Sequence, residues 1–239
     1  QEKAGQNVHG ASGGKGLQSD AGKIPRQGVR STRKRRQMDI GRVLVMGAGG
    51  RIGAMLRRNW PGDGVVWQSR GALAGPGAVQ IDPLGDPAGL ARAAQGCGAV
   101  LCLAGVVPGA GDLAQNAALA RVAVRVGAMV GARVFLTSSA AVYGPAAGTL
   151  EEARALSPQS AYGQAKARME REGAMLGAEL GVGVTSLRIG NVAGADAILG
   201  GWREGFTLDQ FADGRTPRRS YIGPVTLARV LWELTQAAD

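Results

Sequence analysis

The sequence predicts an α/β fold in which a parallel β-sheet is covered by helices on both faces. Apolar runs of strand length alternate with stretches of helical pattern, and this alternation is typical of parallel sheets with crossover helices. The predicted strands lie near residues 40–46, 64–68, 78–81, 98–103, 132–138 and 183–189. The predicted helices lie near residues 51–59, 86–95, 112–130, 157–180 and 225–237.

A glycine-rich turn follows the first predicted strand. The apolar run Val43–Met46 is followed by glycines at positions 47, 50 and 53 and then by a helical pattern. Such glycines permit a tight turn and close backbone approach to a pyrophosphate, and the helix N-terminus offers free N–H groups to the anion. The pattern predicts a Rossmann-like, doubly wound sheet, with a chance triplet among 40 glycines as the alternative. The predicted cofactor-binding residues of this turn are Gly47, Gly50, Arg51, Ile52 and Gly53.

The end of the second predicted strand bears on the choice of cofactor. An NAD site normally places an acidic residue on the ribose about 20 residues beyond the glycines. The segment Val65–Arg70 contains no acidic residue, and Ser69 with Arg70 can bind a 2′-phosphate through charge-assisted hydrogen bonds. We therefore expect NADP, with NAD as the alternative if Arg70 is only a solvated loop residue.

Two further motifs carry hydroxyl groups. The strand pattern Val134–Ser138 leads to Ser139, at the edge where open α/β sheets bind ligands. Tyr162 stands four residues before Lys166, the only lysine between Asp39 and Asp239, so the two side chains share one helix face. An ammonium beside a phenol is expected to lower its pKa and make it a general acid/base. A strand-ending turn and an ordinary helix surface are the alternatives.

In this order the three motifs resemble the extended short-chain dehydrogenase/reductase family, in its NAD(P)-dependent epimerase/dehydratase group. The resemblance runs from about Ile40 to the C-terminus. It includes Leu187–Gly194, similar to the family's Leu-Arg-x-x-Asn-x-x-Gly stretch, and Arg219–Val225, similar to its late substrate-side strand. The implied function is an oxidoreductase or epimerase that acts on a hydroxyl or carbonyl of a sugar or nucleotide sugar.

The resemblance also implies roles for individual residues. Ser139 would hydrogen-bond the reacting oxygen, Tyr162 would be the acid/base and Lys166 its partner. Asn116 would support the lysine and a water molecule. Further cofactor contacts would come from Tyr162 and Lys166, from Asp82 at the adenine end, and from the backbone of Ala104 and Gly105.

One departure from the family narrows the chemistry. Family dehydratases carry an Asp-Glu pair directly after the catalytic serine, where this chain has Ala140 and Ala141. Dehydration is therefore disfavoured, and oxidation/reduction and epimerisation both remain open.

The substrate lobe is expected around residues 195–224, with the aromatic residues Trp202, Phe206 and Phe211. This lobe is small and shortened compared with that of typical family members. The resemblance also implies a homodimer that pairs through the helices near 112–130 and 157–180.

Charge is concentrated in the first 38 residues. The formal charge of the 239-residue chain is +10, and this segment holds nine basic and two acidic residues, so that residues 39–239 carry only +3. With almost no apolar residues, the segment is predicted to be a disordered tail. It is interpreted as a nucleic-acid or membrane-surface arm, a transit peptide, or sequence upstream of the working start at Met38.

Several classes of protein are excluded or disfavoured. The cysteines Cys97 and Cys102 fit buried free thiols rather than a zinc site, and the one histidine, His9, lies in the tail. No metal site is therefore expected. The sequence contains no apolar stretch typical of a membrane helix, which favours a cytoplasmic protein. A non-catalytic dinucleotide-binding sensor remains the alternative to an enzyme.

Overall fold

The structure, a computed structural model, describes residues 41–145, 148–196, 204–205, 207, 210, 212–216 and 218–237. Contacts divide the chain into two compact units, Gln1–Arg36 and Gln37–Asp239, and every described residue belongs to the second. The predicted tail and the aromatic residues predicted for the substrate lobe, Trp202, Phe206 and Phe211, lie outside the described residues.

A six-stranded parallel sheet forms the centre of the domain. Its strands are β1 (Arg42–Met46), β2 (Val65–Ser69), β3 (Ala78–Gln80), β4 (Cys97–Cys102), β5 (Arg133–Ser139) and β6 (Val184–Ile189). The order is β3-β2-β1-β4-β5-β6, and every neighbouring pair is parallel. The order reverses between β1 and β4, the switch point where open α/β sheets bind ligands at the carboxyl ends of the strands.

Helices cover both faces of the sheet. They are α1 (Arg51–Asn59), α2 (Pro87–Ala93), α3 (Gln115–Val130), α4 (Ala161–Leu180) and α5 (Pro224–Gln236). Buried residues of α2, α3 and α4 pack on one face, and buried residues of α1 and α5 pack on the other. The predicted Rossmann-like, doubly wound fold is therefore confirmed.

Two helices begin later than the sequence pattern indicated. The Ser160 hydroxyl accepts a hydrogen bond of 3.0 Å from the Gly163 N–H and caps α4, which starts at Ala161 rather than near 157. Before α3, the Asp112 carboxylate accepts a hydrogen bond of 2.9 Å from the Ala114 N–H in a turn. These short polar side chains bind the backbone locally and so delay the helix.

Helix α4 packs close against the sheet because it carries a glycine, Gly173, where it crosses β5. A Cβ at Gly173 would lie 2.4 Å from the Leu136 Cδ1 atom, so a larger residue there would displace the Leu136 side chain. The same helix packs along α3. The first turns of α4 are thereby brought over the carboxyl end of β5.

A second, two-stranded parallel sheet lies outside the main one. Strand β7 (Asn191–Val192) pairs with β8 (Tyr221–Ile222), the stretch that resembled a substrate-side strand. The Asn191 side chain donates a hydrogen bond of 3.1 Å to the Ser220 carbonyl. The predicted buried, free thiols Cys97 and Cys102 are also confirmed.

Candidate functional site

A cleft of about 500 Å³ opens at the carboxyl ends of β1, β2, β3 and β4. It brings together seven of the predicted cofactor-binding residues: Gly47, Gly50, Ser69, Arg70, Asp82, Ala104 and Gly105. Three others, Arg51, Ile52 and Gly53, stand in the first turn of α1 and do not line the cleft. No side chain caps the start of this helix at Gly50, so its first turn presents backbone N–H groups at the edge of the glycine turn.

Gly47 makes the cleft possible through its backbone. Its φ of +81° lies in the left-handed region, and a Cβ there would lie 2.6 Å from the backbone nitrogen of Ala104. The turn after β1 therefore touches the chain after β4, and a side chain at position 47 would separate the two.

Gln68 is a structural part of the cleft that the sequence analysis missed. Its side chain is 1% exposed. Its Oε1 atom accepts a hydrogen bond of 2.9 Å from the Gly47 N–H, and its Nε2 atom donates one of 2.6 Å to the Ile81 carbonyl. One amide thus joins the glycine turn to the chain after β3. The available signal was a single amide at the end of the apolar run Val65–Trp67.

The three predicted residues at the adenine side differ in exposure. Ser69 is buried, and its hydroxyl accepts a hydrogen bond of 3.2 Å from the Gly71 N–H. Arg70 is exposed at the edge of the cleft. The Asp82 carboxylate accepts a hydrogen bond of 3.1 Å from the Leu84 N–H, so it is a turn residue as well as part of the cleft wall.

The predicted catalytic hydroxyls meet at the carboxyl end of β5. Ser139 ends this strand and begins the 3₁₀ helix Ala140–Tyr143, where its hydroxyl accepts a hydrogen bond of 3.2 Å from the Ala141 N–H. Tyr162 lies in the first turn of α4, which packs so closely on this 3₁₀ helix that a Cβ at Gly163 would lie 2.5 Å from the Ala141 carbonyl oxygen. Burial raises the pKa of the Tyr162 phenol, and the nearby Ser139 hydroxyl only partly opposes this. The expectation that Lys166 lowers the pKa below its ordinary value is therefore wrong, because burial dominates.

Lys166 lies beneath the tyrosine, 5% exposed. Its Nζ atom donates a hydrogen bond of 2.9 Å to the Thr137 carbonyl and lies 5.8 Å from the centre of the Tyr162 ring. Burial lowers the pKa of Lys166, whereas the nearby Cys102 and Glu170 raise it. Because burial raises the pKa of Cys102 to about 11, its thiol is neutral near pH 7, and Glu170 is then the anion that favours the ammonium.

Asn116 is buried beside this lysine and secures a loop. Its Oδ1 atom accepts a hydrogen bond of 3.2 Å from the Val106 N–H, and its Nδ2 atom donates to the carbonyls of Val106 and Leu113, each at 3.0 Å. A Cβ at Gly105 would lie 2.8 Å from Asn116 Oδ1 and 3.2 Å from Lys166 Nζ. The three residues therefore meet at one point in the wall of the cleft.

Arg188 forms a network behind the hydroxyls that the sequence analysis also missed. Its guanidinium binds the buried Glu170 carboxylate, with the closest N–O distance 2.8 Å, and donates to the Tyr143 hydroxyl at 2.9 Å. The available signal was the spacing of Glu170, four residues after Lys166 on the same face of a helix.

No group of three or more His, Cys, Asp or Glu side chains within the described residues is arranged to hold a metal ion. Within the same part of the chain, none of the helices has the length and apolar character needed to span a membrane.

Comparison with known proteins decides the family. The sequence model of the NAD-dependent epimerase/dehydratase family matches residues 43–206. The chain belongs to this family. No curated protein matches the chain.

Solved structures of family-like fold agree with this assignment. MoeE5 in complex with UDP-glucuronic acid and NAD is 25% identical, with a TM-score of 0.63 over 83% of this chain and 73% of that chain. The L-threonine dehydrogenase of Phytophthora infestans is 26% identical, with a TM-score of 0.54 over 64% of this chain and 54% of that chain. A double mutant of the dTDP-glucose 4,6-dehydratase DesIV from Streptomyces venezuelae shares the fold at 22% identity, with a TM-score of 0.66 over 82% of this chain and 72% of that chain.

Proposed function

We propose that the protein is an NAD(P)-dependent oxidoreductase or epimerase that acts on a hydroxyl or carbonyl group of a sugar or nucleotide sugar. The observation that carries this proposal is the placement of Ser139, at the end of β5, against the first turn of α4, which holds Tyr162 one helical turn from Lys166. The likeness to MoeE5, whose structure contains UDP-glucuronic acid and NAD, supports the choice of substrate class.

The cleft fits a dinucleotide because its floor is backbone. A Cβ at Gly47 would lie 2.6 Å from the Ala104 nitrogen. The absence of a side chain at this position therefore leaves the glycine turn open to a ligand. The glycine turn and the first turn of α1 would hold the pyrophosphate. When bound, NAD(P) supplies the site that takes or gives a hydride.

We further propose that NADP is preferred over NAD. Ser69 and Arg70 stand at the end of β2, where a site for NAD normally has a carboxylate for the ribose hydroxyl. A carboxylate there would repel a phosphate, whereas the guanidinium of Arg70 attracts one. Asp82, Ala104 and Gly105 would contact the adenine end and the middle of the cofactor.

The acid/base role follows from the state of Tyr162. Since burial raises its pKa, the phenol is protonated near neutral pH and can donate its proton to the oxygen of a substrate carbonyl. Ser139 would donate a hydrogen bond to the same oxygen and stabilise its developing charge. For the reverse reaction the phenol must ionise, and the Lys166 ammonium favours that form.

The residues next to Ser139 favour simple redox chemistry or epimerisation over dehydration. Ala140 and Ala141 begin the 3₁₀ helix and carry no group that transfers a proton. A non-catalytic sensor remains the second candidate, since the cleft alone would be enough for it. The clustering of Ser139, Tyr162 and Lys166 favours the enzyme, because a sensor has no need of these groups.

The test has two steps. NADPH and NADH are first titrated by cofactor fluorescence, and turnover is then measured on a panel of nucleotide sugars, free sugars and L-threonine. Turnover of a sugar or nucleotide sugar supports the proposal, whereas turnover of L-threonine alone moves the substrate class to amino acids. Cofactor binding without turnover of any compound favours the sensor.

The organisation of the whole chain also stays a proposal. We keep residues 1–38 as a tail and residues 39–239 as one NAD(P)-binding domain, with the substrate lobe around 195–224. The homodimer and the cytoplasmic location likewise stay predictions. Size-exclusion chromatography with light scattering checks the first of these two.

A further inference from the structure

One guanidinium joins three separate segments of the chain. The Nε and Nη2 atoms of Arg188, on β6, donate to the Glu170 carboxylate on α4 at 3.1 and 2.8 Å. Its Nη1 atom donates to the Tyr143 hydroxyl and to the Glu152 carbonyl, each at 2.9 Å. The guanidinium also lies over the Tyr143 ring, 5.0 Å from its centre.

The geometry of these contacts requires an arginine. A planar fork binds a carboxylate with two parallel hydrogen bonds and keeps further N–H groups for other acceptors, which an ammonium does not. The Glu170 side chain is 8% exposed and that of Arg188 is 22% exposed, so solvent screens this pair little. Such a pair therefore holds β6 and α4 in a fixed position relative to each other.

Each segment that Arg188 joins leads directly to the proposed reactive groups. Tyr143 ends the 3₁₀ helix that begins after Ser139. Glu170 lies two helical turns after Tyr162 on α4. The segment that contains Glu152 runs on to Ser160, which caps the same helix. The network therefore connects the 3₁₀ helix that follows Ser139 to the helix that carries Tyr162.

We propose that Arg188, Glu170 and Tyr143 are positioning residues that hold the 3₁₀ helix after Ser139 against α4 and so keep Ser139 and Tyr162 side by side. They act through these two residues. The inference rests on the proposed function, because that function gives the placement of Ser139 beside Tyr162 its importance, but the placement itself is measurable without a substrate.

The chain contains only three tyrosines, which makes a direct readout possible. With tyrosine labelled by ¹³C at Cζ, NMR gives one resonance for each of Tyr143, Tyr162 and Tyr221, assigned by single Tyr→Phe changes. The groups that face Tyr162 among the described residues are Ser139 from β5 and Lys166 from its own helix. Those that face Lys166 are Cys102 from β4 and Glu170.

Two variants test the network while keeping the protein folded. Tyr143→Phe removes one acceptor without changing any charge, and Arg188→Lys keeps the charge but removes the fork. In both, the Tyr162 resonance should shift and its titration midpoint should rise by roughly half to one pH unit, the effect of a weakened hydrogen bond to the ionised form. Arg168→Met is the matched control, since it breaks the exposed pair with Glu172 on the same helix.

The outcomes are distinct. An unchanged Tyr162 resonance and midpoint in folded Tyr143→Phe and Arg188→Lys would overturn the proposal, as would an equal change in Arg168→Met. Thermal unfolding of each variant checks the fold, and Tyr143→Phe decides the matter if Arg188→Lys does not fold. In the activity assay both variants should lose kcat with an unchanged Kd for cofactor. If the parent protein turns over no substrate while the resonance still shifts, the proposed function fails and the positioning network stands.

Discussion

The cofactor cleft and the reactive cluster lie side by side, yet they are built from different parts of the chain. The cleft is backbone and glycine, held in place by the amide of Gln68 and by the contact of Gly47 with Ala104. The cluster is made of polar side chains, with Ser139 at the end of β5, Tyr162 in the first turn of α4 and Lys166 buried below them. The cleft leaves no room for a side chain at Gly47, whereas the cluster depends on the orientation of its side chains.

This difference teaches that the two regions should fail in different ways. A change in the cleft introduces atoms where the backbones touch, and so it should affect cofactor binding and stability. A change in the cluster removes a proton or a charge while leaving the shape intact, and so it should affect turnover. Five predictions test this separation, from the largest expected effect to the smallest.

Tyr162→Phe should have the largest effect, and only on turnover. The change keeps the ring but removes the proton, so turnover should fall by roughly 10²–10⁴-fold, the usual contribution of an acid/base group. The cofactor Kd should stay near that of the parent protein. Steady-state kinetics and fluorescence titration measure the two quantities. Near-normal turnover would contradict the acid/base role and favour the sensor.

Gly47→Ala should instead weaken cofactor binding. The new Cβ would lie 2.6 Å from the Ala104 nitrogen and would require a left-handed backbone at an alanine. The free energy of unfolding should fall by about 1–3 kcal/mol, and the cofactor Kd should rise on the order of tenfold or more. Gly223→Ala is the control, because Gly223 does not line the cleft and a Cβ there meets nothing within 4 Å. Equal effects of the two changes would show that the contact with Ala104 is unimportant.

Cys102 lies at the end of β4, where the two regions meet, and predicts a pH dependence of stability. Its pKa is about 11 in the folded protein against 9.0 for the unperturbed thiol. Above pH 9 the unfolded chain releases this proton while the folded protein keeps it. The contribution to stability is therefore full below pH 9 and is lost between pH 9 and 11, by up to roughly 3 kcal/mol.

Denaturant unfolding at several pH values checks this prediction against Cys102→Ala. The buried Tyr162 phenol is present in both proteins, and Cys102 also interacts with the Lys166 ammonium. The difference between the two curves therefore reports the thiol together with its interaction with Lys166. Parallel curves from pH 8 to 11 would mean that the thiol ionises equally in both states.

Arg70→Ala should have a smaller effect, confined to the choice of cofactor. Removing the guanidinium takes away a charge that would pair with a 2′-phosphate, so the preference of the protein for NADPH over NADH should shrink. Affinity for NADH should hardly change, since NADH has no such phosphate. Equal affinity of the parent protein for the two cofactors would contradict the proposed preference for NADP.

Deletion of residues 1–37 should have almost no effect on either region. The segment holds nine basic residues and few apolar ones, so it contributes little buried surface. The melting temperature and the cofactor Kd of the shortened protein should match those of the full chain. A melting temperature lower by many degrees would show that the tail packs on the domain.

The sequence was sufficient for the sheet but not for the electrostatics. Apolar runs such as Val134–Ser138 indicate burial directly, so the positions of the strands and their parallel arrangement followed from the pattern. The pKa of Tyr162 did not, because the sequence shows Lys166 four residues away but hides the depth at which the phenol lies. The sequence placed Lys166 correctly beside Tyr162, but it did not show the cost of desolvating the ionised phenol.

Contacts between distant segments were the other omission. Gln68 is recognisable only as an amide in an apolar run, and its partners Gly47 and Ile81 lie 21 and 13 residues away. Arg188 reaches Tyr143 across 45 residues. No local pattern encodes such pairs, since they arise only when parallel strands bring their ends to one edge.

Because Lys166 is buried, the domain should not react with reagents that modify lysine amines. It is the only lysine after Asp39, and 5% of its surface is exposed. The remaining lysines, which all belong to residues 1–38, are Lys3, Lys15, Lys23 and Lys34. Amine-reactive dyes and crosslinkers should therefore attach to that segment and leave the domain unmodified.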